Sequence, residues 1–175
     1  MRNACNFSNV KPIMMDLPYP PVRAERENQG YANLLSVDYC GSVSELSAIA
    51  QYINHENRLS GQECALAQTI LGIAVAEMIH LQMLGELICL LGRNIDFVAR
   101  YQNGRKRMWT PAGLAMPEKR GQMLDANIES EMAAINQYKM HIKMIRDDCV
   151  VSVLQRIIKD EEYHIMLLRA LEKGY

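Results

Sequence analysis

Two Glu-x-x-His sequences stand out in this chain of 175 residues: Glu77 to His80 and Glu161 to His164. On a helix, residues three apart share a face, so each pair can present a carboxylate and an imidazole to one metal ion. A single such sequence occurs by chance in many helices. Here each is preceded by a second motif that also repeats. Glu45 to His55 reads ELSAIAQYINH, and Glu131 to His141 reads EMAAINQYKMH, identical at six of eleven positions. The spacing agrees as well: 86 residues separate Glu45 from Glu131, and 84 separate Glu77 from Glu161.

The pattern has a chemical reading. Glu45 lies on one helical stripe with Ile49 and Tyr52, and Glu131 lies with Ile128, Ile135 and Tyr138. Those stripes should face inward. Four carboxylates buried without counter-charge would cost several kcal/mol each, on the order set by ion desolvation. Two divalent cations would cancel four glutamates. Mixed carboxylate and imidazole donors suit iron or manganese, and the absence of thiolate ligands argues against structural zinc. The expected ligands are therefore Glu45, Glu77, His80, Glu131, Glu161 and His164. Tyr52 and Tyr138 each follow a ligand by seven residues. They fit core packing with a satisfied hydroxyl, or a hydrogen bond to a ligand, or a one-electron relay. Asp160 is placed to accept the second imidazole N–H of His80 from across the bundle. His55 and His141 fall about 80° off the glutamate stripe at helical spacing, which suits the bundle edge better than ligation. Glu129 and Glu162 are out of register and should be solvated.

The elements that must position these residues are helices. Apolar residues recur at helical spacing over Ser36–Arg58, Gln62–Leu91, Gln122–Arg146 and Val150–Lys173. Ser42 or Ser44 could cap the first. Residues 1–35, with Pro12, Pro18, Pro20 and Pro21, read as an extended N-terminal arm. Residues 36–175 read as one all-α four-helix bundle. Its connections are short, long, short, so the stretch 92–121 is a crossover between helices two and three. Turn residues (Gly92, Asn103-Gly104, Pro111, Gly113, Pro117 and Gly121) punctuate that stretch.

Composition excludes several other classes. Hydrophobic residues make up 49% and charged residues 22%, which is ordinary for a folded domain. Nineteen basic side chains face twenty acidic ones, so no global field draws the chain to nucleic acid. The basic run at Arg100, Arg105, Lys106 and Arg107 beside Trp109 reads as a solvated loop or one packed over the bundle. Five scattered cysteines without a Cys-x-x-Cys pair read as small buried hydrophobes in a reducing, cytoplasmic setting. Met78, Met83, Met140, Met144 and Met166 read as core filler. The second helix is nearly uncharged, but Glu77, His80 and Glu86 make it a buried bundle helix rather than a membrane span. Its apolar outer face needs a cover, from the arm, the crossover or a second copy in a homodimer.

The segment Glu45-Leu46-Ser47-Ala48-Ile49-Ala50-Gln51-Tyr52 resembles the first ligand helix of bacterioferritins. Asp160-Glu161-Glu162-Tyr163-His164 resembles their last. Over about residues 36–173 the pattern is also similar to rubrerythrins and, more distantly, to manganese catalases. The resemblance implies a ferritin-like fold with one long crossover. It implies that Glu77 and Glu161 bridge two metals, that His80 and His164 cap one each, and that Glu45 and Glu131 are terminal ligands or bridge partners. Two iron ions are the expected cofactor, with two manganese ions as the alternative. The implied chemistry is ferroxidase or rubrerythrin-like peroxidase action on O2 or hydrogen peroxide, with an electron donor the sequence does not name. Dimanganese catalase action, and iron storage or delivery, are the alternatives.

Overall fold

The computed structural model describes residues 5–173; the ends of the expected arm and bundle, residues 1–4 and 174–175, lie outside them. The described residues form five α-helices: α1 (Gln29–Cys40), α2 (Glu45–Leu59), α3 (Cys64–Leu90), α4 (Arg120–Ile142) and α5 (Asp148–Glu172). Helices α2 to α5 form the four-helix bundle. The long crossover joins α3 to α4. It carries a short antiparallel hairpin, β1 (Val98–Arg100) with β2 (Lys106–Met108), and one 3-10 turn at Pro111–Gly113.

The expected first helix is two. Residues 29–35, read as extended, belong to α1, which begins where Asn28 accepts the Tyr31 backbone N–H and caps it. The chain then breaks at Gly41. A Cβ there would lie 2.5 Å from the Val37 carbonyl oxygen. Ser44 restarts the helix as α2 by accepting the Ser47 N–H, which places Glu45 in its first turn. Of the two serines expected to cap, Ser44 is the one that does so.

Two apolar clusters fill the bundle, one at each end. One gathers α1, the second half of α3, Ile135 and Tyr138 of α4, and Val150 to Ile158 of α5. The other gathers Ala48 and Tyr52 of α2, Leu66 to Ala74 of α3, Met123 to Ile128 of α4, and Leu168. The expected ligands fall between the two. Helix α3 is long and apolar enough to cross a bilayer by length and composition, yet half of its most apolar stretch is buried inside this fold.

Several expectations need correction. Only Met83 of the five named methionines is buried; Met78, Met140, Met144 and Met166 are exposed. The reason is angular. Met78 is one residue past Glu77, and Met140 and Met166 are two past Tyr138 and His164, so at 100° per residue they point away from the inward stripe. Met144 lies beyond the end of α4. The cysteines differ too. Cys5 and Cys64 are joined as a disulfide, with Cα atoms 5.5 Å apart. Cys40 alone among the free cysteines is buried, while Cys89 is exposed. The basic hairpin residues 105–107 are solvated as expected, while Trp109 packs inward and donates its indole N–H to Ser47 Oγ at 3.0 Å.

The arm is extended and lies across α3 and α5. Its Ile13 N–H donates to the Gly72 carbonyl at 3.0 Å. That approach needs a glycine: a Cβ on residue 72 would sit 2.8 Å from the Ile13 side chain and 3.0 Å from the Lys11 carbonyl. Gly72→Leu should therefore push the arm off α3 at a cost of about 1–3 kcal/mol, the usual scale for overpacking. Limited proteolysis should then cut within residues 5–28 faster than in the parent chain. Equal protection would show that the arm is not seated there.

Candidate metal centre

Each ligand-bearing helix brings its side chain to the polar layer by simple register. Glu77 and His80 sit one turn apart at the middle of α3, between Ala74 and Met83 of the two apolar clusters. Glu161 and His164 do the same on α5. Glu131 lies between Ile128 and Ile135 on α4. All six residues are at most 3% exposed.

The six converge as two overlapping groups: Glu45, Glu77, His80 and Glu161, and Glu77, Glu131, Glu161 and His164. Within each group the donor atoms lie within 4.8 Å of one another. His80 Nδ1 is 2.8 Å from Glu77, 3.3 Å from Glu161 and 3.8 Å from Glu45. His164 Nδ1 is 3.0 Å from Glu161, 3.1 Å from Glu77 and 3.5 Å from Glu131. The repeat in the sequence is thus a twofold pattern in space. Glu77 and Glu161 reach both groups; the other four residues reach one each.

The surroundings orient these side chains. Tyr52 donates to Glu131, and Tyr138 donates to Glu45, so each phenol holds the glutamate of the other repeat. His80 Nε2 meets Asp160 at 3.2 Å, the contact read from the sequence. His164 Nε2 donates to the Ile13 carbonyl at 2.8 Å. With a proton on Nε2, each ring turns Nδ1 to the carboxylates, where it is an N–H donor when protonated and a free metal donor when neutral. His55 and His141 stay out of the cluster: His55 bonds Asn127 and the Ala115 carbonyl, and His141 pairs with Asp38. Glu129 and Glu162 are exposed.

Electrostatics say what such a site lacks. Burial pushes the Glu45 and Glu131 carboxyls well above their ordinary 4.5, and the charges of Glu77 and Glu161 push the same way. Burial also acts on Glu77, but His164 and His80 outweigh it and hold that carboxyl down. Burial disfavours imidazolium, yet the facing carboxylates raise both His80 and His164 well above their ordinary 6.5. Glu77 Oε1 and Glu161 Oε1 are buried and each faces one imidazole Nδ1, at 3.1 and 3.3 Å. One proton on each imidazole Nδ1 cannot serve all three carboxylates that face it. They fit two divalent cations, which satisfy the oxygens and supply the missing charge.

No protein-family model matches the chain. A curated relative, a probable manganese catalase of Clostridium acetobutylicum, is 29% identical over 170 residues, covering 87% of this chain and 75% of that protein. Among solved structures, KatB, a manganese catalase from Anabaena, superposes with a TM-score of 0.77 at 24% identity, covering 91% of this chain and 78% of that one. A Rhodobacter capsulatus bacterioferritin superposes with a TM-score of 0.69 at 19% identity, covering 86% and 88%. The chain has the ferritin-like fold. Inside it, the six residues singled out by their spacing gather as the two groups described above.

Around this cluster, three contributors escaped the sequence reading. Tyr19 of the arm lies 3.1 Å from His80 Nε2 and donates to Asp160. Arg156 pairs with Asp160 at 2.7 Å and donates to the Met15 and Leu17 carbonyls. The Ile13 carbonyl is a backbone atom and leaves no side-chain signal. Arg156 stands four residues before Asp160, a helical ion-pair spacing that could have been noticed. Burial opposes ionisation of Asp160, but hydrogen bonds from His80, Arg156 and Tyr19 draw its carboxyl down to about 2.

The metal-free chain should show an unusual dependence of stability on pH. Glu45, Glu131, His80 and His164 all bind protons more tightly folded than unfolded. Their contribution is fully present below the unfolded values of 4.5 and 6.5. It is lost as pH rises through the higher folded values. The melting temperature without metal should fall between pH 6.5 and 9, and adding Mn(II) should reverse that slope. A metal-free melting temperature that rises over this range would contradict the charge balance described.

Proposed function

We propose that the two donor groups hold a pair of manganese ions and that the chain disproportionates hydrogen peroxide, two H2O2 giving two H2O and O2. The carrying observation is the enclosure of all six donors between two apolar clusters, under the arm. Such a site suits a small neutral substrate. Disproportionation suits it further, because peroxide is both oxidant and reductant and no second partner must reach the centre. The likeness to a probable manganese catalase over most of the chain supports manganese as the metal.

A bound metal pair would supply the electrons exchanged with peroxide, each ion changing oxidation state by one. The chain supplies the rest. Glu77 and Glu161 are placed to span both positions, and Glu45 with His80, and Glu131 with His164, to complete one each. Tyr138 and Tyr52 hold the two terminal carboxylates in place through their hydroxyl protons. The apolar clusters exclude bulk water. Metal uptake requires Glu45 and Glu131 to give up their protons, so affinity should rise with pH.

The second reading is a di-iron centre acting on O2 or peroxide with an external donor. The bacterioferritin likeness and the twofold donor pattern favour it, since iron accepts the same ligands.

Oxygen release from peroxide without added reductant tests the choice. The manganese-loaded chain should release one O2 per two peroxides, and Glu77→Ala should lower that rate by more than about 100-fold, beyond the usual effect of losing a ligand's outer partner. Peroxide consumption only with a reductant, by iron-loaded protein, would favour the second reading.

A further inference from the structure

The ligand set repeats, but its support does not. His164 presents Nε2 to one neutral backbone carbonyl, Ile13 O. His80 presents Nε2 to a phenol and a carboxylate, Tyr19 and Asp160. The phenol itself donates to the same Asp160 oxygen, Oδ2, closing a three-membered ring of contacts. Asp160 is otherwise committed: its Oδ1 accepts the Met15 N–H at 2.7 Å and pairs with Arg156 at 2.7 Å. Its contact with His80, at 3.2 Å, is the long one of the set. Tyr19 therefore completes what Asp160 alone only partly supplies.

Tyr19 is held firmly for this purpose. Pro18 precedes it and Pro20-Pro21 follow, restricting the backbone to extended forms. The Arg156 guanidinium lies 4.2 Å from the centre of its ring. Arg156 also donates to the carbonyls of Met15 and Leu17 just before it. An imidazole whose outer N–H is accepted by an anionic partner is a stronger donor to a metal than one bonded to an amide carbonyl.

We infer that Tyr19 is a positioning residue for His80, and that the metal position faced by His80 binds its ion more tightly than the one faced by His164. The inference rests on the metal-centre reading but not on the reaction proposed for it. Tyr19 touches none of the donor atoms that face the ion positions; it acts from the outer side, through His80 Nε2 and Asp160.

The test is titration of the metal-free full-length chain with Mn(II) by calorimetry, together with nitrogen resonances of the histidine rings in the Zn(II)-loaded chain. The parent chain should show two resolved binding steps. Tyr19→Phe keeps the ring and removes the hydroxyl; it should weaken the tighter step by about 10–100-fold and leave the other unchanged. It should move the His80 Nε2 resonance and leave that of His164 in place. Gly72→Leu, which displaces the arm, should move both. Equal steps in the parent chain would overturn the inference. So would a Tyr19→Phe variant that moves neither histidine, or that moves both alike as a loosened arm would. Two unequal ions without oxygen release from peroxide would reject the proposed reaction and leave this inference standing. No metal uptake by the parent chain would overturn both.

Discussion

Four carboxylates sealed from water set the terms for everything else in this fold. Desolvating even one costs several kcal/mol. Glu45, Glu77, Glu131 and Glu161 share one layer with only two imidazoles to offset them. Protons relieve part of the repulsion, which is why two of the carboxyls and both imidazoles hold protons so tightly. Each imidazole has one Nδ1 to share among three carboxylates, so the relief is partial. Two divalent cations would complete it, and would let Glu77 and Glu161 serve both halves of the layer at once.

Burying that layer requires apolar mass on both sides, and the helices are patterned accordingly. Each of α3, α4 and α5 passes from one apolar cluster to the other through a polar turn. Helix α3 is the extreme case: nearly uncharged, it carries Glu77 and His80 at its centre. The remaining opening is covered by the arm. Its Ile13, Met15 and Tyr19 meet His164, Asp160 and His80, so the segment that closes the site also orients its histidines. Gly72 makes this possible by letting extended backbone lie directly on a helix.

Much of this could be read from spacing. Helical period brings Glu77 to His80 and Glu161 to His164, and the internal repeat links them to Glu45 and Glu131. Even the Asp160 contact with His80 follows from register once the bundle is assumed. The arm was less legible, because extended backbone binds through carbonyls and N–H groups that every residue carries. Tyr19 lies in a run of prolines with no periodicity to show which way it faces. The split of the first helix at Gly41 is hard to read because apolar residues continue at helical spacing on both sides of it, and only Gly41 as C-cap and Ser44 as the next N-cap mark the break. The exposed methionines are the converse case: apolar type alone does not set burial, and Met78 lies a full 100° from Glu77. Cys5 and Cys64 were unpaired in the sequence reading because 59 residues separate them and only the arm's path brings them together.

The central claim is that two metal ions sit between His80 and His164, sharing Glu77 and Glu161. Anomalous diffraction at the manganese edge, from crystals of the Mn(II)-loaded chain, tests it most directly. The account predicts two peaks in the polar layer, one beside each Nδ1, with both Glu77 and Glu161 contacting both ions. A single peak, peaks only at the protein surface, or an ion bound through Nε2 would contradict it.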